Sequence, residues 1–245
     1  MIMSKTIIAM WSGPRSLSTA MMRSFENRVD TDVFDEPFYA HYLEKTGIDH
    51  PGRDLILRSQ NTNWNEIVDM CVGSIPNGKS IWYQKHMAQH NIKGCSINWI
   101  SSVKNCVLIR DPLYVISSYG EQFPVDNEDL LGYKQQSEIV KYIEKETGET
   151  PLIIDATDIL KDPENSLKSL CHEMDIKFSH RMLKWPSGGR DSDGVWAPYW
   201  YKSVNNSTGF KPFQEKEIKL DKKLSHIYKS CLKYYQDMYE KRIKV

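Results

Sequence analysis

The chain opens on Thr6–Trp11, a mostly apolar run with no alternation, the pattern of a strand covered on both faces. Further short strands are predicted at Asp32–Phe34, Ser80–Gln84, Cys106–Ile109 and Leu152–Ile154, and the Cys106 run is continuously apolar. Between them the apolar residues switch to helical spacing. Leu17, Ala20, Met21 and Phe25 form one such face, and Ile67, Val68, Cys71 and Val72 form another within a helix over Trp64–Ile75. Helices are also predicted at Tyr39–Lys45, near Ser96–Ser101, from Pro112 onward with Val115, Ile116 and Tyr119 inward, within Leu130–Thr147, and over Pro163–Met174. Ile48–Asn63 is polar and reads as a loop or short helix.

Strands alternating with helices imply an α/β fold with a parallel sheet of about five strands. No composition break marks a linker, so residues 1–245 are expected to form a single domain. Two parts of the tail differ from the rest. Residues 185–210 are rich in Gly, Ser, Asn and aromatics without a period and read as a long functional loop. A C-terminal helix is expected over 215–242, where Leu224, Ile227, Tyr228, Cys231, Leu232, Tyr235, Met238 and Tyr239 share one face.

Composition narrows the class. Lys+Arg and Asp+Glu both number 32, so bulk charge offers nothing to a nucleic acid. The five cysteines are scattered, with no metal-ligand spacing, and Cys71, Cys106 and Cys231 lie in apolar contexts. No secretory leader and no membrane-spanning run is visible. A cytoplasmic protein without a structural metal is the expectation.

Candidate chemistry falls at the strand ends, where open parallel sheets bind ligands. After the first strand stand Gly13, Pro14, Arg15, Ser16, Leu17, Ser18 and Thr19, a turn into a helix whose free N–H groups favour an anion. This is not a Walker A loop, because Ser18 and Thr19 occupy the positions of its second glycine and its lysine. Glu36 follows the second strand, and Pro37 biases it toward extended backbone. His86 and His90 follow the third strand, Arg110 the fourth and Asp155 the fifth. The separated cations Arg15 and Arg110 suit a ligand with two anionic ends.

These residues resemble the sulfotransferases that use 3′-phosphoadenosine 5′-phosphosulfate (PAPS). The resemblance rests on Pro14-Arg15-Ser16-Leu17-Ser18-Thr19, on Arg110-Asp111-Pro112 with Ser118 eight residues after the arginine, and on Glu36-Pro37-Phe38. Lys85-His86, Asp162-Pro163-Glu164, Gly189-Arg190 and Gly194-Val195-Trp196 extend it over residues 6 to 210. It implies a P-loop NTPase-like three-layer fold. It also implies transfer of a sulfuryl group from PAPS to a hydroxyl or amine of a small-molecule or carbohydrate acceptor, leaving adenosine 3′,5′-bisphosphate (PAP), without a metal. Residues 14–19, Arg110, Ser118 and Arg190 would hold the nucleotide. Arg15 would act on the leaving phosphate, with Glu36, His86 or His90 as the base. Leu17 stands where the family has glycine, which is expected to alter the backbone's approach to the anion. Asp155-Ala156 stands where members carry an adenine-stacking aromatic, so a late-loop aromatic is expected there instead. Two other readings fit the same residues. One is a magnesium-dependent P-loop kinase using Asp35 and Asp111; the other is a nucleotide-binding or interaction module without turnover.

Overall fold

The computed structural model describes residues 5–245. Its elements run β1 (Thr6–Ser12), α1 (Ser18–Glu26), β2 (Thr31–Asp35), α2 (Tyr39–Thr46), α3 (Arg53–Ser59), α4 (Trp64–Val72), β3 (Ile81–Met87), β4 (Lys104–Ile109), α5 (Pro112–Gly120), α6 (Tyr133–Thr147), β5 (Leu152–Asp155), α7 (Ala156–Lys161), α8 (Pro163–Glu173), α9 (Ala197–Trp200), α10 (Lys202–Asn205) and α11 (Ser225–Glu240). Short 3₁₀ turns join several of them.

The five strands form one sheet in the order β2-β3-β1-β4-β5, and every pairing is parallel. β1 is central, pairing from Thr6 with Ile81 to Ser12 with Met87 on one side and with β4 on the other. Alternate residues of β1 enter opposite cores: Ile8 and Met10 pack with Met21, Phe25 and Tyr83, while Ala9 and Trp11 pack with Val107, Trp99 and Ile139. Both faces are covered, which is why the strand reads as an unbroken apolar run. Cys71, Cys106, Cys171 and Cys231 are buried in these cores.

Several boundaries differ from the sequence reading. β3 continues through Lys85 and His86 to Met87. Asp155 begins α7 at once, its carboxylate accepting from the Thr157 N–H at 2.7 Å, so a helix precedes the one at Pro163. The C-terminal helix covers Ser225–Glu240 only, and residues 211–221 run as irregular chain over the cavity described below. The predicted helix near Ser96 is a 3₁₀ turn over Asn98–Ser102. Among the described residues no helix is long and apolar enough to cross a membrane.

Candidate active site

The carboxyl ends of β1 and β4 lie side by side at the point where the strand order reverses, the usual ligand position of such sheets. A cavity of about 500 Å³ opens there. Its floor is the turn from β1 into α1. Gly13 is obligatory in this turn, because a Cβ would stand 2.4 Å from the Leu131 carbonyl oxygen. Arg15 (φ 57°) and Leu17 (φ 73°) both adopt left-handed backbone, and Ser16 Oγ donates to the Pro14 carbonyl at 3.2 Å. Leu17 thus holds the left-handed conformation that glycine favours. Residues of alternating backbone hand point successive N–H groups into one concavity. Asn63, Asp111, Asp155 and Asp162 cap α4, α5, α7 and α8 with their side chains, but α1 carries no side-chain cap. Its first-turn amides border the cavity, which Pro14 through Ala20 line.

The second arginine converges on the first. Arg110 Nη1 donates to the Arg15 carbonyl at 2.6 Å, and Arg15 Nε donates to Ser118 Oγ at 2.9 Å. Pro112 sets the first turn of α5 and Asp111 caps it, which fixes Ser118 two turns along the helix and beside Arg15. The two motifs that read as separate anion sites therefore form one joined cationic end. Burial lowers the pKa of both guanidinium groups, though from so high a value that both keep their charge. Lys211 and Lys216 also border the cavity, and Phe213 lies edge-on to Tyr114 at 5.8 Å.

The opposite end holds a buried carboxylate pair around one lysine. Lys85 Nζ donates to Asp35 Oδ1 at 3.0 Å, to Glu36 Oε1, and to the Tyr201 hydroxyl oxygen at 2.7 Å. That hydroxyl donates to Asp35 (2.7 Å to Oδ2) and accepts from Trp196 Nε1 at 3.0 Å. The Gly194 N–H reaches Asp35 Oδ2 at 3.1 Å, and a Cβ on Gly194 would collide with the Trp196 ring at 2.1 Å. Burial pushes the Glu36 carboxyl above the usual range, and Lys85 draws it part of the way back. Burial opposes the charge on Lys85 as well, but Asp35 and Glu36 more than offset this and keep it protonated.

Glu36 does not have the extended backbone that Pro37 favours; its φ is 42°. Three contacts hold it there: its N–H donates to the Lys85 carbonyl (2.9 Å), and its own carbonyl accepts from the Tyr39 N–H (3.1 Å) and Gln60 Nε2 (3.1 Å). Strain of this kind persists where the surroundings over-determine it.

The two histidines part company. β3 alternates, so Lys85 and Met87 line the cavity while His86 points to the other face. His86 stacks on Trp11 at 4.4 Å, donates from Nε2 to Gln84 Oε1 (3.1 Å), and burial drops its pKa to about 3. It is a core residue rather than a cleft base. His90 does line the cavity, sandwiched between the Tyr39 and Tyr42 rings at 4.8 and 4.7 Å, with its pKa pushed well down by burial. Asp155 turns inward to cap α7 and to accept from the Tyr235 hydroxyl at 3.0 Å. Arg190 folds onto its own loop, donating to the Pro186 and Gly189 carbonyls at 2.5 and 3.0 Å, and does not line the cavity. The segment 211–216 borders the cavity but was not expected in the site; Tyr201 was expected only as one aromatic of the late functional loop, and Lys85 received no role.

Fold and site define an α/β domain of P-loop-like fold, with two arginines beside the turn at the end of its central strand. The chain belongs to the sulfotransferases: the family described as "Sulfotransferase domain" matches residues 5–242. It is 41% identical over 208 residues to "Branched-chain-amino-acid aminotransferase-like protein 1" of Arabidopsis thaliana, a match covering 83% of this chain and 36% of that protein. The chain thus spans about a third of the length of that relative. In fold it is similar to "Sulfotransferase Domain from the Curacin Biosynthetic Pathway" (TM-score 0.56, 14% identity, 92% of this chain and 97% of that one). It is also similar to "Sulfotransferase Domain from the Synechococcus PCC 7002 Olefin Synthase" (TM-score 0.55, 14% identity, 93% and 94%).

Proposed function

We propose that this domain transfers a sulfuryl group from PAPS to an acceptor hydroxyl or amine, as a cytoplasmic enzyme that needs no metal for the step. One observation carries the reading. A single cavity has a joined Arg15–Arg110–Ser118 cluster over uncapped helix amides at one end and the Glu36–Lys85 pair at the other.

The residues fit the donor. Among the described residues, both Arg15 Nη atoms and Arg110 Nε and Nη2 lack a protein hydrogen bond, so each guanidinium keeps donors for phosphate. Arg110 and Ser118 hold the 3′-phosphate. Arg15 and the amides of Ser18 and Thr19 face the 5′-phosphosulfate. Tyr114 and Phe213 offer flat faces for adenine.

The acceptor oxygen attacks sulfur, the S–O bond to the 5′-phosphate breaks with its electron pair going to the phosphate oxygen, and the acceptor proton goes to Glu36. Charge grows on the leaving oxygen, where Arg15 and the α1 amides offset it. Lys85 and Tyr201 orient the carboxylate. Of the proposed bases, Glu36 is favoured over His90, whose neutral ring is clamped between two tyrosines.

Thermal shift separates this from a kinase. PAP raises the melting temperature more than ADP at equal concentration if both ends of the nucleotide are gripped. A shift seen only with Mg-ATP overturns the reading.

A further inference from the structure

At the end of the cavity away from the arginines, the wall carries polar atoms that the protein leaves free. Glu36, Tyr42, His90 and Tyr119 all border the cavity, yet each is only 3 to 7% exposed. Both protein bonds to the Glu36 carboxylate, from Lys85 and Tyr201, go to Oε1. Among the described residues, Glu36 Oε2, the Tyr42 and Tyr119 hydroxyls and His90 Nε2 have no hydrogen-bond partner, and none of the four is a fully enclosed atom. Four buried side chains thus each hold an unpaired polar atom open to the same space.

His90 offers a donor. Its ring lies between those of Tyr39 and Tyr42, which fixes its plane and leaves its edge for a ligand. Burial first, then His50, Lys85 and the other nearby histidines, keep the ring neutral, so it carries one N–H. Nδ1 is enclosed without a partner among the described residues. A proton there would leave an orphaned buried N–H, the rarer and costlier defect, whereas a proton on Nε2 leaves only a lone pair enclosed. The tautomer assigned on this ground points an N–H into the cavity. Glu36 Oε2 is an acceptor, and the two tyrosine hydroxyls can donate or accept. Of the nearby cations, Lys85 is held by Asp35 and Glu36, while Arg53 and Arg58 border a separate cleft beyond His50 together with Asp49 and Asp54. Apart from Glu36, the free groups are neutral.

From this we infer that the acceptor is a neutral vicinal diol, as in a sugar or other polyol, and that His90 is the residue that selects it. One hydroxyl gives its proton to Glu36 Oε2 and attacks sulfur, and the neighbouring oxygen accepts from His90 Nε2–H. The Tyr42 and Tyr119 hydroxyls serve further oxygens. A site built around hydroxyls rejects an analogue lacking one, because its own buried group is then left unpaired. The inference rests on the sulfuryl-transfer reading for the reacting hydroxyl and on the free buried groups for the second oxygen. The product is the monosulfate ester of the diol, formed with release of PAP and with the proton on Glu36.

The test uses cis-cyclohexane-1,2-diol and cyclohexanol, each titrated calorimetrically into the protein saturated with PAP. The diol is expected to bind about tenfold more tightly, the scale of one hydrogen bond to a buried group. Cyclohexanol is the more apolar of the two, so a merely apolar pocket gives the opposite order. His90→Phe, which keeps a flat ring between the two tyrosines, should erase the preference, and His90→Gln, which restores an N–H donor, should recover part of it. Equal binding of the two alcohols, tighter binding of cyclohexanol, or binding of neither overturns the inference. A preference that persists in His90→Phe overturns the assignment to His90, and if that variant fails to fold the ratio in the unaltered protein still decides. A parallel transfer assay keeps the two readings apart. Diol preference without a sulfate ester leaves the ligand class standing and removes the transfer reading. Ester formation with equal kcat/KM for both alcohols does the reverse.

Discussion

Arg15 Nε donates to Ser118 Oγ at 2.9 Å across 103 residues of chain, and this bond joins the turn after β1 to the middle of α5. The same Arg15 accepts from Arg110 through its carbonyl. A ligand at this end therefore meets a preformed unit, in which two desolvated guanidinium groups are held apart by backbone and hydroxyl contacts.

Arg110→Ala is predicted to weaken PAP binding by roughly 2–5 kcal/mol, the range for truncating a desolvated charge contact. Arg15→Ala should cost turnover more than affinity, since its charge is needed most as the leaving phosphate develops. Calorimetry with PAP and single-turnover transfer on both variants decide the matter. Unchanged affinity in Arg110→Ala beside abolished binding in Arg15→Ala reverses the assignment.

Glu36→Gln should lower single-turnover transfer by about 10²–10⁴-fold with PAP binding intact, the usual yield of general base catalysis. The base must be ionised, and burial raises the Glu36 pKa. The acid limb of kcat against pH should therefore lie above the ordinary carboxylate range and vanish in Glu36→Gln. His90, whose pKa lies well below its usual value, stays neutral through that range and contributes no limb. An unaltered limb in Glu36→Gln excludes Glu36 as the base.

The fold was legible because β1 and β4 are buried on both faces and so spell unbroken apolar runs. The candidate anion cradle was legible because its parts are local: Pro14 to Thr19 is one turn, and Ser118 lies on the helix that starts two residues after Arg110. The base was not. Strand alternation sends Lys85 and His86 to opposite faces, but the end of β3 was placed at Gln84, three residues short of Met87 and too early to apply that rule. Arg190 and Tyr201 lie in a segment whose path is set by tertiary contacts, including the buried Arg23–Asp193 pair at 2.6 Å and the Asp35–Gly194 bond. No period in the sequence encodes such contacts.

Leu17 is a further local test. A left-handed backbone costs an L residue about 1–2 kcal/mol, and a β-branched side chain suffers more. Leu17→Val should destabilise the fold by at least ~1 kcal/mol, whereas Leu17→Gly should stay within ~1 kcal/mol because relief of strain offsets the added chain entropy. Urea midpoints for the two variants check this, and equal midpoints refute the strain argument.

Tyr201→Phe probes how the late segment controls the base. The hydroxyl donates to Asp35 and accepts from both Lys85 and Trp196, so its loss strips one donor from the carboxylates and one acceptor from the lysine. A donor to an ionised carboxylate favours the ionised form. Without it Glu36 holds its proton more tightly, and the acid limb of kcat moves to higher pH. The shift should amount to about one pH unit, the scale of a single strong hydrogen bond to a charged group. The KM for PAPS should change little, because Arg15, Arg110 and Ser118 lie at the far end of the cavity. Trp196→Phe is the control: it removes the indole N–H that donates to Tyr201 while leaving the bond to Asp35. It should lower stability with a smaller movement of the limb. If the two variants lose stability alike and neither moves the limb, Tyr201 is a packing residue and the coupling from late segment to base does not exist.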